Sequence, residues 1–170
     1  MVIGDRWGVS DDEVARPYPC DDVVPWPVLQ AWRGVTVHVV AGRLWPWVAQ
    51  LRLAPYSYDW IDNLGRRSPR TLLAVPEPVV GQPFSTAATR PVGRILSVSP
   101  VEQLTGRIAG AVMSYVLVPN GDQTRLLLKI VTAKGRWIAP LVSVGDLFMA
   151  RRQLLNLKQL AEQDPPATLA

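Results

Sequence analysis

The stretch AVMSYVLVPNGDQTRLLLKIVTA, Ala111 to Ala133, decides the fold. Two runs rich in β-branched and aliphatic residues flank Pro119-Asn120-Gly121-Asp122, whose residue types accept the positive φ of a tight turn. The pattern predicts a hairpin with strands over Ala111–Val118 and Thr124–Ala133. In the second run Leu126, Leu128 and Ile130 share one face, and Arg125, Leu127, Lys129 and Val131 share the other. Basic residues among the aliphatics predict a sheet with one face on the core and one wet face.

Downstream, Leu147, Ala150, Leu154, Leu157 and Ala161 recur at helical spacing, and Val144, Phe148 and Leu155 widen the stripe. This predicts a long amphipathic helix from about Ser143 to Gln163, stopped by Pro165-Pro166. Upstream, Val92–Val98 and Glu102–Ile108 read as two further strands separated by Pro100. Pro76, Pro78, Gly81 and Pro83 make a loop before them. Trp32–Val40 reads as an earlier strand, with Val35, Val37 and Val39 alternating against Thr36 and His38. Between it and Pro55, Leu44, Trp45, Val48 and Leu51 recur at helical spacing, so Ala41–Leu53 is expected to form one or two short helices, with Pro46 in a first turn. A short helix around Trp60–Leu64, closed by Gly65, is expected next. A strand, short helices, a run of antiparallel strands and one long C-terminal helix make the α+β pattern. A long helix laid across a curved antiparallel sheet either leaves an apolar space or fills it with side chains.

The N-terminal residues 1–31 read as an extension packed on the domain of residues 32–163, and residues 164–170 as a frayed tail. Ser10-Asp11-Asp12-Glu13 fits a capping box, with Val9 and Val14 placed for a hydrophobic staple. Pro17 and Pro19 end that helix early. Trp7 and Trp26 are expected to pin the extension to the domain, because exposed aromatic area is costly.

The 170 residues suffice for one domain that removes roughly 70% of the unfolded chain's surface from water. Cys20 is the single cysteine and His38 the single histidine, which excludes an internal disulfide and the common zinc sites. No cofactor is expected. The net charge is +4 and the isoelectric point about 9.6, yet the basic residues are scattered. No basic motif interleaved with aromatics accompanies them, so no nucleic-acid partner is expected. Early charges and the lack of an apolar h-region argue against a secretory signal. The longest apolar stretch, Trp137–Ala150, is too short and too interrupted to span a bilayer. A cytoplasmic protein is the expectation, with no integral membrane segment. The sequence does not set its oligomeric state.

Tyr56, Tyr58, Asp59 and Asp62 form the one dense polar and aromatic cluster of the sequence. It reads either as a pocket wall that orients a ligand or moves a proton, or as a loop whose tyrosines pack and whose carboxylates cap a turn. His38 reads as a general base or as a solvent-facing strand residue. No G-x-S-x-G turn supports a hydrolase triad, and no glycine-rich phosphate loop is present. Arg94, Arg107 and Arg125 fall in strands, and most are expected to point outward, since a buried unpaired guanidinium is costly. Trp45, Trp47, Trp60 and Trp137 can stack a flat ligand or fill the core.

Several motifs together resemble the START-like superfamily, in particular bacterial proteins of the polyketide cyclase/dehydrase-like, or SRPBCC, kind. Arg6-Trp7-Gly8 leads into Ser10-Asp11-Asp12-Glu13-Val14. Leu44-Trp45-Pro46-Trp47-Val48-Ala49-Gln50-Leu51 is similar to that family's helix after the first strand. Tyr56-Ser57-Tyr58-Asp59-Trp60-Ile61-Asp62-Asn63 looks like a subgroup motif. Tyr115–Pro119 with Thr124-Arg125-Leu126 is similar to its late hairpin. The resemblance spans about Arg6–Glu162. It departs at Val39-Val40-Ala41-Gly42, where relatives carry an Ala-Pro-Ala-Glu type of turn, and in the short link from Leu51 to Tyr56. It implies a helix-grip fold, a curved antiparallel sheet wrapped around the C-terminal helix. It also implies a carrier of a hydrophobic or amphipathic small molecule, a lipid or polyketide-like compound, held between sheet and helix. The expected lining is Trp45, Trp60, Met113, Tyr115, Leu147, Phe148 and Leu154, with polar groups from Tyr58, Asp59 and Arg107. The alternatives are a cyclase or dehydratase, with Tyr58, Asp59 or His38 moving the proton, and a protein-interaction module using the basic surface.

Overall fold

The structure is a computed structural model. It describes residues 5–54, 56, 68–87, 90–133 and 139–164, with the backbone alone at Ala87 and over residues 139–148. Strand β1 (Arg6–Trp7) is followed by helices α1 (Asp11–Ala15) and α2 (Pro19–Val23). Then come β2 (Leu29–Val37), α3 (Ala41–Ala49) and a 3-10 turn over Gln50–Arg52. A two-stranded ribbon, β3 (Ser85–Ala87) with β4 (Arg90–Val92), leads into β5 (Arg94–Ser99), β6 (Gln103–Ile108), β7 (Ala111–Asn120), β8 (Gln123–Thr132) and α4 (Ala139–Gln163).

The main sheet has the order β1-β2-β8-β7-β6-β5. Only β1 pairs in parallel, with Arg6 opposite Trp32. The β7–β8 hairpin closes at Asn120 opposite Gln123, so the turn is the Gly121-Asp122 pair, with Gly121 at φ 64°. The expected hairpin therefore forms, two residues longer on its first arm. Helix α4 begins at Ala139, four residues before the expected start, and ends at Gln163 as expected. Pro46 sits inside α3 rather than in its first turn, because the helix already starts at Ala41. The expected helix around Trp60–Leu64 lies outside the described residues.

The inner face of the sheet carries Val35 and Val37 of β2, Leu126, Leu128 and Ile130 of β8, Tyr115 and Leu117 of β7, and Leu104 of β6. Helices α3 and α4 close over it with Leu44, Trp47, Val48, Ala150, Leu154, Leu157 and Ala161. Of the stripe read from the sequence, Ala150, Leu154, Leu157 and Ala161 thus lie on the buried face of α4.

The outer face is a correction to the expected wet side. There α1 and α2 pack on the sheet, and Tyr18, Cys20, Val24, Trp32, Val112, Leu127 and Val131 form a second apolar cluster. Lys129, expected in water, is only 5% exposed, and Asp21 of α2 neutralises it. The capping box forms as expected, with Ser10 Oγ accepting from Glu13 N and Glu13 Oε2 from Ser10 N. Gly8 permits the close approach of this segment. It has φ 66°, and a Cβ there would stand 2.3 Å from Gly34 O. Trp7 is half-buried against the core, as expected, but Trp26 is 89% exposed and pins nothing among the described residues.

Candidate functional site

The inner face combines a wide apolar wall with a few placed polar groups. Strand alternation puts Ala31, Arg33, Val35 and Val37 of β2 on this side. Arg33 is fully buried, and its Nη1 donates to Asp5 O and Trp32 O, each at 2.8 Å. Across the sheet, the Tyr115 hydroxyl donates to Gln153 Oε1 of α4, linking β7 to the helix. One turn along α4, Asn156 Nδ2 donates to Tyr56 O at 2.8 Å. Gln50, wholly buried at the end of α3, donates through Nε2 to the Tyr56 hydroxyl and to Thr71 O, and accepts from Leu73 N. The Tyr56 ring meets Trp47 edge-on, with centroids 6.5 Å apart. These bonds satisfy the buried amides and hydroxyls that would otherwise destabilise an apolar interior.

Helix α4 is held on the β2 side of the sheet. Lys158 Nζ donates to Thr36 O at 2.6 Å and to Glu162 Oε1 at 2.8 Å, and Glu162 Oε1 also accepts from His38 N at 2.8 Å. Arg151 lies over the Trp7 ring, 4.9 Å from its centroid. Burial is complete under this clasp, at Leu126, Leu128, Leu154 and Leu157. It is incomplete towards the other side, where Ile108, Ala111 and Met113 pack on the core yet remain only partly buried.

On that side residues 68–84 run without regular structure from α3 to the edge of the sheet. Trp45 Nε1 donates to Glu77 Oε2 at 2.9 Å, and Arg52 donates to Gln82 Oε1 at 2.9 Å and to Pro76 O. Gly81 N donates to Ile95 O and Ile95 N to Gln82 O, which covers the edge of β5. The segment delivers the buried Phe84 ring onto the inner face over Gly106, 6.2 Å from the Tyr115 ring.

Of the residues singled out in the sequence, Trp45, Met113, Tyr115 and Leu154 come together on or around this face. Tyr58, Asp59 and Trp60 lie outside the described residues, and the side chains of Leu147 and Phe148 do too. Arg107 is a correction: it is exposed and shares the outer face with Thr105, because Leu104 and Gly106 take the inward positions of β6. The inward arginine is Arg33. The alternation that placed Val35 and Val37 inward also predicts it, two residues earlier on the same strand. His38 is exposed just beyond the end of β2. Sequence reasoning also missed Gln50, Phe84, Gln153 and Asn156; only the helical spacing of Gln153 beside Leu154 hinted at any of them. Among the described residues no group of His, Cys, Asp and Glu could hold a metal ion, and no helix is long and apolar enough to cross a membrane.

No family model matches the chain, and no curated protein does. Solved structures do. Protein MLL2253 from Mesorhizobium loti matches with a TM-score of 0.55 at 16% identity, over 81% of this chain and all of its own (100%). Protein NE0264 from Nitrosomonas europaea matches at 0.51 and 14% identity, over 81% of this chain and 96% of its own. The KanY protein matches at 0.51 and 16% identity, over 79% of this chain and 97% of its own. At such identities the shared property is the fold. That fold is α+β, a six-stranded, mostly antiparallel sheet gripping one long C-terminal helix, which is the helix-grip arrangement expected from the sequence.

Proposed function

We propose that the protein binds a hydrophobic or amphipathic small molecule between the inner face of the sheet and α4. One observation carries the reading. The inner wall is buried beneath the helix clasp, yet stays partly accessible at Ile108, Ala111 and Met113, beside the Tyr115–Gln153 hydrogen bond. Accessible apolar side chains next to a polar pair are what an amphipathic ligand needs. Burying its apolar body contributes about 25 cal/mol per Å² removed from water. The hydroxyl and amide orient its polar end. A lipid or a polyketide-like compound fits this chemistry.

The test is titration with cis-parinaric acid, read by energy transfer from the tryptophans, on the wild type and on Met113→Trp. The larger side chain fills the accessible part of the wall. Expected are saturable binding by the wild type and affinity lowered at least about tenfold in the variant, with an unchanged melting temperature. Absence of saturable binding, or equal binding by both proteins, overturns the reading.

A further inference from the structure

Gly106 is the one inward-facing position of β6 without a side chain, and its backbone has no positive φ to explain that. Its neighbour explains it. A Cβ at Gly106 would stand 2.0 Å from Phe84 Cδ2, 2.3 Å from Cγ and 2.5 Å from Cε2. The ring therefore occupies the volume a side chain would take. Phe84 comes from a segment tied down on both sides, by Gln82 and Gly81 to β5 and by Ser85 Oγ to Leu51 O at 3.0 Å. Its ring is 3% exposed and borders Tyr115, and Gly106 is paired directly with Met113.

Resting on the binding reading above, we propose that Phe84 is the specificity-determining residue of the inner-face site. It is a fixed plug that sets how long an apolar tail the site accepts beyond Tyr115. The ligand class this favours is a single-tailed amphiphile, whose polar end stays near Tyr115 and Gln153 and whose tail stops against the Phe84 ring. Removing the ring over a glycine leaves a recess with no side chain beneath it, because Gly106 has none to fill it. An adjoining cavity lined by apolar groups accepts more methylenes.

The experiment is a chain-length series, saturated fatty acids from octanoate to stearate, measured by displacement of cis-parinaric acid from the wild type, Phe84→Ala and Phe84→Leu. Affinity rises about fourfold for each methylene that finds apolar cover, then levels off where the site ends. The expected result is that Phe84→Ala levels off at a longer chain than the wild type, with Phe84→Leu between them. Binding by Phe84→Ala alone overturns both readings, because the wild-type protein then has no open site whose length Phe84 could set. The same levelling-off length in all three proteins overturns the role of Phe84 while leaving the binding reading standing. No binding of the probe or any acid by any of the three overturns both. Phe84→Leu keeps most of the buried volume, so the comparison survives if Phe84→Ala fails to fold.

Discussion

Glu13 of α1 grips Arg125 of β8 with both carboxylate oxygens, Oε1 at 2.7 Å from Nε and Oε2 at 2.8 Å from Nη2, across 112 residues of chain. The same guanidinium donates to Gly8 O at 2.7 Å and to Thr36 Oγ1 at 3.1 Å. One arginine thus fastens the N-terminal segment to the outer face of the sheet. The fork geometry suits arginine and not lysine.

Glu13→Gln is expected to lower stability by about 1 kcal/mol. This is less than a buried charged hydrogen bond contributes, because the pair is partly solvated. The hydrogen bonds from Arg125 hold the Glu13 carboxyl below its ordinary value of 4.5 despite some desolvation. A depressed folded-state pKa adds stability that is present above the unfolded value and fades as pH falls through the folded one. Thermal melts of the wild type should therefore lose stability in this acid range more steeply than those of Glu13→Gln. Parallel curves for the two proteins would show that the clasp adds nothing measurable.

Lys129 and Asp21 form the second tie, and its two ends are unequal. The Lys129 side chain is 6% exposed beneath the rings of Tyr18 and Trp32, whereas that of Asp21 is 34% exposed. Removing the carboxylate strands a buried ammonium; removing the ammonium leaves a carboxylate that reaches water. Asp21→Asn is expected to destabilise by about 2–3 kcal/mol, and Lys129→Met by clearly less. Denaturant unfolding of both variants checks the order, and a larger loss for Lys129→Met contradicts it.

Cys20, in the same helix α2 as Asp21, is wholly buried, and its N–H donates to Ser114 Oγ at 2.9 Å. Burial pushes its thiol up to about 11, so the reactive thiolate is scarce at neutral pH. Labelling with a thiol reagent should follow the opening of the outer face and run at the rate of unfolding in native buffer. Fast stoichiometric labelling of the native protein would mean that α2 detaches readily.

The hairpin and the long helix were legible because each rests on local periodicity: alternation at Leu126, Leu128 and Ile130, and the helical stripe Ala150, Leu154, Leu157 and Ala161. The outer face was misread because the partners of Arg125 and Lys129, Glu13 and Asp21, lie 112 and 108 residues away. A basic residue in a strand looks the same whether water or a distant carboxylate receives it. The β3–β4 ribbon escaped notice because strands of three residues, one of them holding Pro91, show no period. Among the candidate residues, Leu154 followed from the stripe read for α4, whereas Met113 and Tyr115 were named as lining without a face being assigned to their strand. Phe84 was missed, because its position is set by a strap of irregular chain held through side-chain bonds.

The contact between Phe84 and Gly106 makes the last prediction, which concerns folding and holds whether or not a ligand binds. Gly106→Ala puts a methyl group into the space of a buried ring whose backbone Gln82 and Ser85 anchor on both flanks. Overpacking of this kind costs about 1–3 kcal/mol. Phe84→Ala loses the transfer energy of the ring and leaves a cavity, about 3–5 kcal/mol. In the double variant the new methyl group meets no ring, and it refills part of the cavity. The two changes should therefore be less than additive by 1 kcal/mol or more, a coupling of about the size contacting residues show. A double-mutant cycle of urea unfolding measures it. Strict additivity would mean that the ring leaves Gly106 readily in solution, and Phe84 would then be a movable flap instead of a fixed plug.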